Sequence, residues 1–161
     1  MAKKPAAGTP ATAVLADQQV EHTLHPYDVS PDAPNYGALV AQTLGIEPSR
    51  VFKTLIAEVD GRLVVAVVPV TGDLDLKALA GAAGGKRAGL ADRAAAERSS
   101  GYVRGGISPL GQRKRLPTVV DQDVTGANIA RWSMFWWAIR GALAWSTVSQ
   151  MSSSGWRSCS A

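Results

Sequence analysis

The chemistry open to this chain begins with one lysine. Lys53 sits in Val51-Phe52-Lys53-Thr54-Leu55, the start of a run rich in β-branched residues. On a strand, alternation puts it on the same face as Val51, Leu55, Ala57 and Val59. An ammonium on an apolar face requires a partner or a cavity. The other reading is a lysine at the strand's start whose stem lies along apolar surface while its head reaches water. Pattern alone leaves both open. A second element is Gly105-Gly106-Ile107-Ser108-Pro109-Leu110-Gly111. Paired glycines let a backbone approach a ligand and aim N–H groups at it. Such donors can hold a carboxylate or a developing oxyanion. A plain surface loop is the alternative. Arg113, Lys114 and Arg115 follow at once; they read either as phosphate contacts or as a solvated basic run.

Other residues argue against familiar chemistries. His22 and His25 are three apart on an extended segment and face opposite sides, poor geometry for a metal pair, so they read as structural or surface residues. No metal site is expected. Asp73 and Asp75 read as capping or flanking a helix rather than as an acid–base pair. No Gly-x-Ser-x-Gly elbow and no phosphate-binding P-loop is present. Hydrolytic chemistry here would proceed without an evident protein nucleophile.

These residues need a scaffold. Residues 1–8 read as a flexible basic tail. Thr9-Pro10 is a helix start, a hydroxyl cap followed by proline, for a helix to about Gln19. Val20 to Tyr27 reads as extended, and Asp28 to Asn35 as a loop. Asn35 is expected to cap a second helix closed by Gly45, with Ile46 packing back. Val51–Val59 and Leu63–Val70 are the clearest strands, joined by Asp60-Gly61 as a hairpin. The second is apolar nearly throughout, so both its faces should be covered. Asp73 is expected to open a third helix that fades into small residues from Gly81 to Gly89. Asp92 caps a fourth, and Leu116 to Asp121 reads as a last strand.

Composition bounds the setting. The 161 residues suit one domain with a real core. A net charge of +4 leans weakly towards an anionic partner. The single cysteine, Cys159, permits no internal disulfide, which fits a reducing compartment. The N-terminus lacks the apolar stretch of a secretory signal, and Trp132 to Trp145, broken by Arg140, is too short to span a bilayer. A cytoplasmic protein without membrane partners is expected.

Five segments then occur in a telling order: Val51-Phe52-Lys53-Thr54-Leu55, Val67-Val68-Pro69-Val70, Asp73-Leu74-Asp75-Leu76-Lys77, Gly101 to Gln112, and Lys114-Arg115-Leu116-Pro117-Thr118. Together they resemble the YbaK/EbsC type of Cys-tRNA(Pro)/Cys-tRNA(Cys) deacylase, related to the editing domain inserted in bacterial prolyl-tRNA synthetases. The similarity covers residues 9–121. It implies an α+β domain on a mixed, partly closed β-sheet with helices around it. It implies a pocket for the aminoacylated 3′ end of tRNA(Pro), no cofactor, and prolyl-tRNA synthetase as a potential partner. The family's catalytic lysine falls on Lys53. Tyr27 and Thr54 fall on pocket positions, and Gly105, Gly106, Ile107, Ser108 and Pro109 on the loop beside the ester. The family is thought to let the substrate's own thiol attack the ester. An Ala-tRNA(Pro) deacylase, a non-catalytic module for the tRNA end and an inactive remnant are the competing functions.

From about Asp123 the sequence departs from that pattern. All five tryptophans lie beyond it, lysine and glutamate vanish, and serine rises. No helical or strand period survives, and the family's C-terminal aspartate maps onto no residue. Residues 122–161 are therefore expected to be an atypical tail, translated out of frame from about residues 122–126 and leaving the sheet short of strands. A genuine tryptophan-rich tail binding a membrane surface or a partner is the competing reading.

Overall fold

A computed structural model describes residues 8–30, 32–121 and 149–151, the last three as backbone only. The elements are α1 (Pro10–Asp17), α2 (Tyr36–Leu44), a single 3₁₀ turn (Pro48–Arg50), β1 (Phe52–Val59), β2 (Arg62–Pro69), α3 (Leu76–Ala82), β3 (Ala88–Leu90), α4 (Arg93–Ser100), β4 (Thr118–Asp121) and β5 (Ser149–Met151).

The hairpin is the organising unit. Asp60 and Gly61 both take positive φ, 47° and 80°. That is the type I′ turn whose twist matches the strands it joins. It sets the β1–β2 register from Val59 opposite Arg62 to Phe52 opposite Pro69. The Asp60 carboxylate then accepts from the N–H groups of Lys86 (2.7 Å) and Arg87 (3.1 Å). Those two bonds hold the carboxyl below its ordinary range and tie the incoming end of β3 to the turn.

The sheet runs β3-β1-β2-β4-β5. β3 and β2 are antiparallel to β1, β4 is parallel to β2, and β5 is parallel to β4. The α+β class with a mixed sheet is as expected, but among the described residues the sheet is open rather than partly closed, with β3 and β5 at its edges. Alternation along β2 fills two cores. Val64 and Ala66 pack with Ala57, Val59, Leu79 and Val119 on the α3 side. Val65 and Val67 pack with Ile56, Ala96 and Val120 on the other, where Ile107 also rests. Covering on both faces explains why β2 is apolar nearly throughout.

Several local expectations need correction. The N-cap of α3 is Asp75, whose carboxylate accepts from Ala78 N–H at 2.9 Å; Asp73 lies outside the helix. Asn35 precedes α2 in the left-handed conformation and makes no side-chain cap. Ala88–Leu90, at the end of the supposed fading stretch, is a strand because β1 offers it a partner edge. Ser149–Met151 is likewise a strand, so the sheet does not end at β4. The reading of the remaining tail as out of frame, and the basic tail of residues 1–7, lie outside the described residues.

α1 crosses the end of the glycine-rich segment at very close range. A Cβ on Gly111 would stand 2.6 Å from the backbone of Pro10, and Gly111 has φ 65°. Gly111→Ala should therefore destabilise the fold by about 1–3 kcal/mol. Thermal unfolding checks this, with Gly89→Ala, whose Cβ meets nothing within 4 Å, as the control. Equal melting temperatures for the two variants would contradict the packing described.

Candidate functional site

Among the described residues, the first half of β1 has a strand on one side only. Val70 N–H donates to Val51 C=O at 2.9 Å, so the odd-numbered residues of β1 carry the ladder to β2. The even-numbered ones point their main-chain groups the other way. β3 takes up only the far half, pairing with Ala57, Glu58 and Val59, and Ala91 N–H adds a bond to Ile56 C=O at 3.0 Å. Beside Lys53 to Leu55 no further strand follows among the described residues, and a cavity of about 1130 Å³ opens there. Every residue from Val51 to Leu55 lines it, as expected where a strand presents its edge. α2, the connection Val70–Asp73 and the turn Arg104–Ile107 supply the other walls.

Lys53 reaches the cavity as a partly buried side chain, 32% exposed. Its ammonium stands 3.8 Å from the fully exposed Asp73 carboxylate. That loose, solvent-screened pair adds little stability. Thr54, on the opposite face of β1, lines the same cavity.

The glycine segment is fixed from beneath. Tyr102 is buried, and its hydroxyl donates to Leu110 C=O at 2.7 Å, closing residues 102–110 into a loop. Arg113 and Lys114 N–H groups donate to the carbonyls of Ser100 and Ser99, both at 2.9 Å. Glu97 of α4 accepts from Arg104 N–H at 3.2 Å and from Arg93 at 3.0 Å, and these contacts hold its carboxyl below the ordinary range. Gly106 N–H donates to Val103 C=O at 3.1 Å, with Gly105 at φ 85°. This is the type II turn, which needs glycine at that position. Because Gly106 N–H is spent inside the turn, a substrate oxygen would have to find its donors at Gly105 or Ile107.

Two tyrosines join the walls. Tyr36 hydroxyl donates to Gly105 C=O at 3.3 Å. The Tyr27 hydroxyl stands 3.1 Å away, and either hydroxyl can donate to the other. The rings meet edge to face, centroids 6.4 Å apart. Tyr36 thus pins the Tyr27 segment, the start of α2 and the glycine turn together. Burial, reinforced by Tyr27, pushes its hydroxyl up to about 12.

Of the residues expected at a site, Lys53, Thr54, Tyr27, Gly105, Gly106 and Ile107 come together around this cavity. Ser108 and Pro109 do not line it. Ser108 Oγ turns inward to accept Leu110 N–H at 3.2 Å, and its carbonyl accepts from Gln112 at 2.9 Å. Pro109, Lys114 and Arg115 border a smaller hollow of about 310 Å³ against α1, and Arg113 borders neither. Sequence reasoning missed Tyr36, Arg104 and the cavity position of Asp73, and set His25 aside although it lines the wall. The signal for Asp73 was available. The hairpin register places Pro69 opposite Phe52, so the residues just past β2 must lie beside the start of β1. Among the described residues no group of His, Cys, Asp or Glu could hold a metal ion, and no helix is long and apolar enough to cross a membrane.

With this site in place, comparison with known proteins is informative. The chain belongs to the aminoacyl-tRNA editing domain family, which matches residues 31–130. Among individual proteins, it is 44% identical over 86 residues to EbsC of Enterococcus faecalis, named for a proposed Cys-tRNA(Pro)/Cys-tRNA(Cys) deacylase activity. The match covers 52% of each, so the chain spans about half the length of that relative. A crystal structure described as a proposed trans-editing enzyme for prolyl-tRNA synthetase superposes with a TM-score of 0.52 at 26% identity, over 56% of this chain and 57% of that one. A scaffold protein from work on epitope backbone grafting by computational design shares the fold, with a TM-score of 0.60 at 22% identity over 73% and 72% of the two chains.

The Tyr36 geometry is testable by titration. Its raised pKa means that the folded state holds the phenolic proton more tightly than the unfolded chain. Its contribution to stability is full below the ordinary tyrosine value and is lost as pH rises through about 12. Phenolate absorbance should show two late-ionising hydroxyls in the native chain, Tyr36 and the buried Tyr102, and only one of them in Tyr36→Phe. An identical titration curve for the variant would contradict the bridging hydrogen bonds.

Proposed function

We propose that the chain is a trans-editing aminoacyl-tRNA deacylase that removes cysteine mischarged on tRNA(Pro). The observation that carries this reading is the cavity beside the first half of β1. It brings the Lys53 ammonium and the Gly105–Ile107 turn to one space, in a chain of the editing family. The name of EbsC supports cysteine on tRNA(Pro) as the substrate. The trans-editing neighbour supports action alongside prolyl-tRNA synthetase, in the cytoplasm where tRNA is charged.

The described lining residues include no cysteine or serine. In the proposed reaction the substrate supplies the nucleophile. Its thiol sulfur attacks the ester carbonyl, and the bond from that carbon to the tRNA 3′ oxygen breaks. The thiol proton ends on the departing 3′ oxygen. The products are tRNA with a free 3′ hydroxyl and a cyclic cysteine thiolactone, which water then opens. Lys53 stabilises negative charge on the ester and leaving oxygens, and the turn's N–H groups hold the carbonyl. The walls keep the thiol in attacking geometry, where effective molarity supplies much of the rate. Arg113, Lys114 and Arg115 lie on the flank of the loop, where they would take tRNA phosphates.

Single-turnover deacylation of Cys-tRNA(Pro) tests the proposal. Lys53→Ala should slow it by about 10²–10³-fold, and Ala-tRNA(Pro) should stay near the uncatalysed rate. Faster loss of alanine than of cysteine would move the assignment to the alanine-specific class. Tight binding of the tRNA end with no turnover would make the chain a binding module.

A further inference from the structure

The charges around the cavity are unequal. Among the described lining residues Lys53 and Arg104 are cationic, and Asp73 supplies the sole carboxylate. An aminoacyl ester presents a protonated α-amine one carbon from the carbonyl that reacts. A lysine placed to stabilise the ester oxygens repels that amine at short range. A cavity lined only by cations would therefore select against its own substrate.

We propose that Asp73 receives the substrate's α-ammonium and restricts the site to acyl esters whose α-amine is free. The inference rests on the deacylase reading above and names what that site discriminates. Asp73 stands 3.8 Å from the Lys53 ammonium through one oxygen and is otherwise fully exposed, so its acceptor capacity is largely unspent. Its position is also constrained. It follows β2 by a turn in which Gly72 N–H reaches Pro69 C=O at 3.5 Å, and it precedes Asp75, which is fixed as the cap of α3. A short connection held at both ends keeps the carboxylate at the cavity mouth beside Lys53. Bound substrate would shield it from water, and the screened pair of the free protein would become a charge-assisted hydrogen bond to the ligand. Esters with a blocked α-amine, such as N-acylated or peptidyl-tRNA, lose that bond and leave the carboxylate covered and unpaired.

The test uses cysteine joined by an uncleavable amide to 3′-amino-3′-deoxyadenosine, alongside its N-acetyl derivative. Affinities are measured calorimetrically on the full chain. The native protein should bind the free amine about tenfold or more tighter than the acetylated form. Asp73→Asn should abolish that preference while leaving affinity for the acetylated form unchanged, and Asp73→Glu should restore part of it. An undiminished preference in Asp73→Asn, no preference in the native chain, or no binding of either compound would each overturn the assignment. Turnover of Cys-tRNA(Pro) measured in parallel separates the two claims. An intact, Asp73-dependent preference without turnover would defeat the deacylase reading alone.

Discussion

The shortness of β3 governs the site. Had β3 continued along β1, a strand would fill the space beside Lys53 to Leu55. Instead pairing stops with Ala91 bonded to Ile56, and the remaining edge is covered by α2 and the glycine turn at enough distance to leave a cavity. The edge strands of most sheets are a liability to be blocked. Here the first half of β1 becomes the floor of a pocket, and the residues on both faces of β1, Lys53 and Thr54, reach the same space.

Rigidity then has to come from the surrounding loops, since the wall opposite β1 is irregular chain. It is supplied by a small set of satisfied hydrogen bonds. Tyr102 closes the loop from inside, Glu97 anchors it from α4, and Tyr36 ties it across to the Tyr27 segment. Proximity and fixed dipoles can supply catalysis only if the walls do not rearrange at the moment of reaction. A site that borrows its nucleophile from the substrate depends on such pre-organisation.

Much of this was legible in the sequence where the code is local. Asp60-Gly61 predicts the hairpin because both residues tolerate positive φ, and the hairpin register alone fixes which face Lys53 occupies. The caps at Thr9 and Asp92 follow from short side chains that can accept backbone N–H groups. What was hidden is non-local. Ala88-Gly89-Leu90 becomes β3 only because β1 offers it an edge. The cap of α3 shifts from Asp73 to Asp75, which frees Asp73 for the cavity mouth. Tyr36 reads as an ordinary residue at the start of α2 until the fold brings Gly105 within reach of its hydroxyl. Ser108 and Pro109 match the family's loop by sequence, yet Ser108 bonds within the loop and Pro109 borders the smaller hollow rather than the cavity.

The most direct test of the account is a crystal structure of the chain bound to the uncleavable cysteinyl-aminoadenosine amide. The account predicts the acyl group between the start of β1 and the Gly105–Ile107 turn, with its carbonyl oxygen within about 3.5 Å of a donor from Lys53 or that turn. Ligand seated in the smaller hollow against α1, or with its carbonyl turned away from β1, would contradict it.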